Sequence, residues 1–160
     1  MDESLANDPV TTLTSLVGTW HGGGTVWLPS MAPREYEEEI RFSVRSPSSL
    51  DYWQRATDPA DGAMLHSESG IWRVTAAGSL ELSVALPSAT EVSEGTIETG
   101  AISLASIAIG LAAGGARLVA TTRRYTLGPD AVAYEIEIAT EAFPLAGHLH
   151  GEVRRTRQGG

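Results

Sequence analysis

The chain has 160 residues, of which 42% are hydrophobic and 19% charged, a mixture that buries one core and fits neither a disordered nor a membrane-spanning chain. A net charge of −9 argues against nucleic acid and anionic membrane surfaces as partners. Cysteine is absent, which removes disulfides, thiolate nucleophiles and sulfur-ligated metals and leaves His, Asp and Glu as ligands.

The start, MDESLANDPV, lacks the basic opening and apolar stretch of a signal peptide, so a cytoplasmic protein is expected. Asn7 or Asp8 is placed to cap a short helical turn through Leu13, Leu16 and Val17. GTWHGGG then reads as an opening strand with Gly18, Trp20, Gly22 and Gly24 on one face. Missing side chains at alternate positions let such a strand bend, and let another backbone or a flat ligand approach. No helix follows it, so it is not a phosphate-binding loop.

From there the dominant period is two. Tyr36, Glu38, Ile40, Phe42 and Val44 share a face, as do Leu80, Leu82, Val84 and Leu86, and Val132, Tyr134, Ile136 and Ile138. Turn signals separate these runs at Ser46-Pro47, Asp58-Pro59, Asp61-Gly62, Ala77-Gly78, Gly100, Gly114-Gly115 and Gly128-Pro129-Asp130. The apolar run from Ala101 to Ala120 contains Gly110, Gly114, Gly115 and Arg117, so it predicts two strands and a turn rather than a membrane span. The expectation is an all-β fold: a single antiparallel β-barrel of about ten strands, with the N-terminal helical turn plugging one end. One domain covers residues 1–160, the barrel roughly 13–157, and the end at Gln158-Gly159-Gly160 is frayed.

Several segments match a known family in order and approximate spacing. They are GTWHGGG, the run LPSMAPREYEEEIRF, LHSESGIWR (Leu65 to Arg73), EVSEG (Glu91 to Gly95), RRYTL (Arg123 to Leu127) and PLAGHLHGEV (Pro144 to Val153). Over roughly Leu13 to Arg157 the chain resembles the nitrobindins. That resemblance implies a barrel of the lipocalin or fatty-acid-binding type holding one ferric heme b per subunit in a wide, solvent-open cleft. His148 falls where the axial iron ligand belongs, which also makes it the catalytic residue. Ser30, His66 and Ile138 fall where the family lines the heme. The implied activity is isomerisation of peroxynitrite to nitrate, with NO binding at the same iron. No protein partner is implied, and a homodimer is left open. Two departures stand out: Leu28 replaces a tyrosine that usually precedes the proline, and Ile138 stands where many members carry methionine.

Read without the family, His148 raises a difficulty of phase. Simple alternation puts His148, His150, Glu152 and Arg154 on a polar-looking face, opposite Leu149 and Val153. A half-polar cleft, or a bulge at Gly147 or Gly151 that rotates the strand, would return His148 to a ligand position. A metal site of His148, His150 and Glu152 is the alternative, since i and i+2 side chains project together. His66 lines the cleft or bonds Glu68; His21 faces outward; Ser30 is either a hydroxyl beside the ligand or a turn residue after Pro29. Trp20 is core packing. Glu37 and Glu39 face outward, while Glu38 points inward and bonds within the barrel. Arg123 and Arg124 face opposite ways, so at most one reaches a carboxylate or a heme propionate. Two other functions fit this pattern: a carrier of an apolar ligand such as a fatty acid, and a barrel that has lost heme.

Overall fold

The computed structural model describes residues 8–115 and 117–157. Helix α1 (Pro9–Thr14) opens the described chain, and the Asp8 carboxylate caps it by accepting from the Thr11 N–H at 2.9 Å. Pro9 occupies the first turn, where a missing N–H costs nothing. Asp8 is thus an observed cap, while Asn7 and the end at 158–160 lie outside the described residues.

Ten strands follow: β1 (Gly18–Val26), β2 (Arg34–Ser46), β3 (Ser49–Thr57), β4 (Met64–Val74), β5 (Leu80–Ala85), β6 (Ala89–Glu98), β7 (Ala101–Leu111), β8 (Leu118–Leu127), β9 (Ala131–Thr140) and β10 (Ala146–Arg155). Each pairs antiparallel with the next, and β1 pairs with β10, so the sheet closes into a barrel. The apolar run expected to form two strands and a turn is β7, its loop and the start of β8. Among the described residues no helix is long and apolar enough to cross a membrane.

Closure depends on the glycines of β1. A Cβ built on Gly22 would lie 2.0 Å from the Glu152 carbonyl oxygen, and one on Gly24 would lie 1.9 Å from that of His150. The close approach expected of this strand is therefore made by the backbone of β10, which coils inward against it.

The interior is layered along the barrel axis. At the α1 end, Leu13, Leu16, Trp20, Phe42, Leu50, Trp72 and Val153 form a packed apolar base. Trp20 is 1% exposed and donates its indole N–H to the Leu16 carbonyl at 2.8 Å. The Arg155 guanidinium lies 4.2 Å from the Trp20 ring centroid and donates to the Ser15 and Val17 carbonyls, fastening the plug. Val44 departs from its apolar phase and is 62% exposed, because the register shifts between Val44 and Ser46 at the β2–β3 hairpin. Above the base lies a layer of buried polar side chains, and above that the barrel opens.

Candidate functional site

The open end is a cleft with two lobes. One, of about 290 Å³, is bounded by Val26, Leu28, Arg34, Tyr36, Leu65 and Leu149 among others. The second, of about 250 Å³, is bounded by Glu68, Leu86, Leu118, Arg123, Ile136 and Ile138 among others. His66 and His148 belong to the walls of both, so the lobes form one site with two histidines at its waist.

β10 delivers His148 through an irregularity. Its register against β9 shifts between Gly147 and Leu149, which makes His148 the extra residue of a bulge at one of the two glycines expected to allow it. Leu149 stays in the inward phase, and His148 is turned into the cleft beside it. His150 keeps the outward phase and stacks on Trp27 with ring centroids 4.9 Å apart. The bulge therefore separates the two histidines, and no group of three His, Asp or Glu able to hold a metal forms among the described residues. The His148–His150–Glu152 alternative is corrected accordingly.

His148 Nδ1 lies 3.0 Å from the Trp27 carbonyl oxygen. A carbonyl only accepts, so Nδ1 carries the hydrogen and, in the neutral ring, Nε2 carries the lone pair. Burial holds the His148 pKa below its ordinary value against the opposing pull of that hydrogen bond, which favours the neutral form.

Beneath the cleft, polar side chains from six strands interlock. Arg123, 3% exposed, donates to Glu68 at 2.9 Å and to Glu91 at 3.0 Å. Burial alone would raise both carboxyls, but the guanidinium outweighs it and holds them below the usual carboxylate range. His66 Nε2 sits 3.1 Å from Glu68. The Tyr52 hydroxyl lies between two acceptors, Glu68 at 2.7 Å and the Gln54 side-chain oxygen at 2.5 Å, and its single hydrogen serves one of them at a time. The Gln54 amide nitrogen and the Tyr134 hydroxyl both donate to Glu38, and Tyr36 and Tyr134 hydroxyl oxygens are 2.5 Å apart.

The structure brings His148, His66 and Ile138 to one cleft. It does not bring Ser30, which is exposed in the Leu28–Met31 turn with φ 64° and lines neither lobe. His21 is half exposed and bonds Thr156 and Glu39. Arg123 is the inward arginine, engaged by two internal carboxylates and so unavailable to a propionate; Arg124 is outside, near Glu137. Sequence reasoning missed Tyr36, Arg34, Gln54, Tyr134 and Glu91 as site residues. A signal existed, since Gln54 and Glu91 are polar residues standing in the inward, apolar phase of their strands.

A family model described as a THAP4-like, heme-binding β-barrel domain matches residues 9–155. The chain belongs to this family, the nitrobindins. It is 34% identical over 148 residues to peroxynitrite isomerase 2 of Mycobacterium marinum, covering 89% of this chain and 92% of that protein. It is 35% identical over 153 residues to peroxynitrite isomerase 1 of Mycobacterium tuberculosis strain H37Rv, covering 91% and 93%. The crystal structure of Rv2717c from M. tuberculosis superposes with a TM-score of 0.85 at 33% identity, over 93% of this chain and 98% of that one. An S-type phycobiliprotein lyase from Guillardia theta shares the fold alone, with a TM-score of 0.64 at 15% identity.

Leu28 lines one lobe of the cleft and Ile138 the other, and each puts an apolar side chain on the wall.

Proposed function

We propose that the chain binds one ferric heme b in this cleft through His148, isomerises peroxynitrite to nitrate there, and takes up NO at the same iron. One observation carries the reading: the bulge turns His148 into an apolar cleft while the Trp27 carbonyl fixes its Nδ1–H tautomer. A neutral imidazole presenting an Nε2 lone pair is a standard iron ligand, and a hydrogen bond from its other nitrogen raises its basicity.

The surrounding residues suit the group. Val26, Leu28, Leu65, Leu149 and Ile138 offer apolar contact, and Arg34, an exposed cation on the lining paired with Asp58 at 2.7 Å, would have to share that pairing to meet a propionate. When bound, heme supplies an open iron position at which the peroxynitrite O–O bond breaks and the oxygen returns to nitrogen, giving nitrate with no net electron transfer. His148 would hold the group from β10, while His66 Nε2 is engaged by Glu68 at 3.1 Å. The names of the mycobacterial relatives support the same reaction.

Hemin titration of the purified protein is the first test, followed by stopped-flow decay of peroxynitrite. A sharp Soret band should form with wild type and fail in His148→Ala. Tight hemin binding by that variant would remove the ligand assignment. No uptake by wild type would leave a carrier of another apolar ligand, and decay no faster than buffer would leave a heme protein without the enzymatic step.

A further inference from the structure

Tyr36 and His66 stand on the wall of the same lobe, and a line of polar side chains within hydrogen-bonding distance of one another joins them behind it. From His66 the line passes through Glu68, Tyr52, Gln54, Glu38 and Tyr134 and returns to the cleft at Tyr36. Glu38 sits between Gln54 and Tyr134 in this line, 5% exposed.

Counting protons fixes the sense of this line near Tyr36. The Tyr134 hydroxyl donates to Glu38 Oε1, so its oxygen is free only to accept. The Tyr36 hydroxyl therefore donates to Tyr134, and what Tyr36 shows the cleft is a lone pair. Gln54 directs a proton added to Glu38. Oε2 faces the Gln54 amide nitrogen, itself a donor, so with the amide in this orientation the proton lies on Oε1, where it turns toward Tyr134. Glu38 then donates to Tyr134, Tyr134 donates to Tyr36, and the Tyr36 hydrogen is released. Its other protein acceptor, the His150 carbonyl, is 3.4 Å away, too far to hold it firmly.

We propose that Glu38, acting through Tyr134, sets the hydrogen-bonding sense of Tyr36 toward the cleft. With Glu38 ionised, Tyr36 accepts; with Glu38 neutral, Tyr36 donates to an anion held in the lobe. Glu38 is a positioning residue, and Tyr36 is the group that touches the ligand. The reversal itself stands without heme; its use on an iron-bound anion rests on the proposed function.

The surroundings of Glu38 bring both states within reach. Burial pushes its carboxyl up to about 7, with the Tyr134 and Gln54 hydrogen bonds pulling down, Glu68 pushing up and His66 pulling down. Acting on it are Tyr36 on its own strand, Gln54 on β3, His66 and Glu68 on β4 and Tyr134 on β9; beyond them Tyr52 and Arg123 contact Glu68, and Tyr125 lies against Tyr134. β1 opposes it with Gly22, and β10 brings Gly151 against the Tyr134 hydroxyl, so neither adds a charge. Arg123 is matched by Glu68 and Glu91.

The test begins with heme-free protein carrying 13C at glutamate carboxyls and tyrosine Cζ, titrated by NMR between about pH 5 and 9. One carboxyl should titrate near neutrality, with the Tyr134 and Tyr36 resonances following the same curve. Glu38→Gln should flatten all three. In Tyr134→Phe the carboxyl should still titrate while Tyr36 stops following, an outcome that a merely structural role for Tyr134 would not produce. A silent Tyr36 in wild type, which would place the proton on the Gln54 side, overturns the proposal. So does a Tyr36 that follows equally in Tyr134→Phe. With hemin-loaded protein, fluoride affinity should gain about tenfold below the transition in wild type relative to Tyr36→Phe; superimposable profiles overturn the reach to the ligand. Failure to take up hemin would instead defeat the proposed function and leave the NMR result to decide the reversal.

Discussion

His148 and Trp27 hold each other by two hydrogen bonds. The Trp27 N–H donates to the His148 carbonyl at 2.8 Å, and the His148 ring donates from Nδ1 to the Trp27 carbonyl at 3.0 Å. The β1 end and the β10 bulge are thereby locked together, and the orientation of the imidazole is set by backbone rather than by a mobile side chain. His148→Gly should lower hemin affinity at least about 100-fold, the upper end of what even an outer partner of a metal ligand is worth. The fold should be little affected, because the double backbone pairing of β1 with β10 remains. Added imidazole should restore the Soret band; failure to do so in a folded variant would argue against an empty ligand position at 148.

The glycine strand gives a prediction about stability. Gly24→Val places a branched side chain where even a Cβ lies 1.9 Å from the His150 carbonyl oxygen, and backbone cannot step aside cheaply. The expected cost is about 3 kcal/mol, at the upper end of overpacking penalties. Gly114→Ala is the control: nothing lies within 4 Å of its built Cβ, so it should stay within about 0.5 kcal/mol of wild type. Equal urea midpoints for the two variants would sink the close-approach argument.

Strands and turns were legible because each half-buried strand repeats every two residues, as Leu80, Leu82 and Val84 do, and because Gly or Pro punctuates most hairpins. The bulge was legible as a choice between Gly147 and Gly151, since a histidine in the wrong phase beside a glycine asks for one. What local pattern cannot supply is register around the closed sheet. Alternation showed that only one of Arg123 and Arg124 points inward, but its partners Glu68 and Glu91 lie 55 and 32 residues away. Nothing within β8 names them. The place of Ser30 was illegible for the opposite reason: its position relative to the cleft is decided by a tight turn with positive φ, which composition near a proline suggests but does not aim.

Glu38 and Glu68 should give the protein opposite pH slopes. Glu38 is raised from 4.5 to about 7, so between those values the folded chain holds a proton that the unfolded chain has lost. Its contribution is full below about pH 4.5 and is lost as pH rises through about 7, a change of roughly 3 kcal/mol. Glu68 is depressed, chiefly because Arg123 overcomes its burial. Its contribution is present above about pH 4.5 and is lost as pH falls below. Urea midpoints should decline from about pH 5 to 8, and Glu38→Gln should level that decline while keeping the acid limb. A wild-type profile already level over this range would contradict the assignment.

Removing Arg123 should be costly in a way that acid relieves. Arg123→Met leaves Glu68 and Glu91 buried without their cation, and breaking such a pair costs roughly 3 to 5 kcal/mol. Adding Glu68→Gln and Glu91→Gln should recover much of it, because uncharged groups no longer need the guanidinium. Denaturant curves of the single and triple variants decide this. A single variant as stable as wild type at neutral pH would mean that the ion triad holds nothing together.

Ionic strength tests whether charge assists the proposed reaction. The chain carries −9, and the cation on the cleft lining, Arg34, is already paired with Asp58 at 2.7 Å. Beneath the cleft Arg123 faces both Glu68 and Glu91, so the interior adds no net positive field. An incoming peroxynitrite anion therefore meets like charge, locally and at distance. Salt screens such repulsion over a Debye length that shrinks to about 10 Å at 0.1 M. The second-order rate constant of hemin-loaded protein should rise with salt, whereas electrostatic steering would make it fall. NO association, with an uncharged ligand, should not change and serves as the reference. Asp58→Asn should free Arg34 and flatten or reverse the peroxynitrite slope; a rate that falls with salt in wild type would show that the cleft attracts the anion after all.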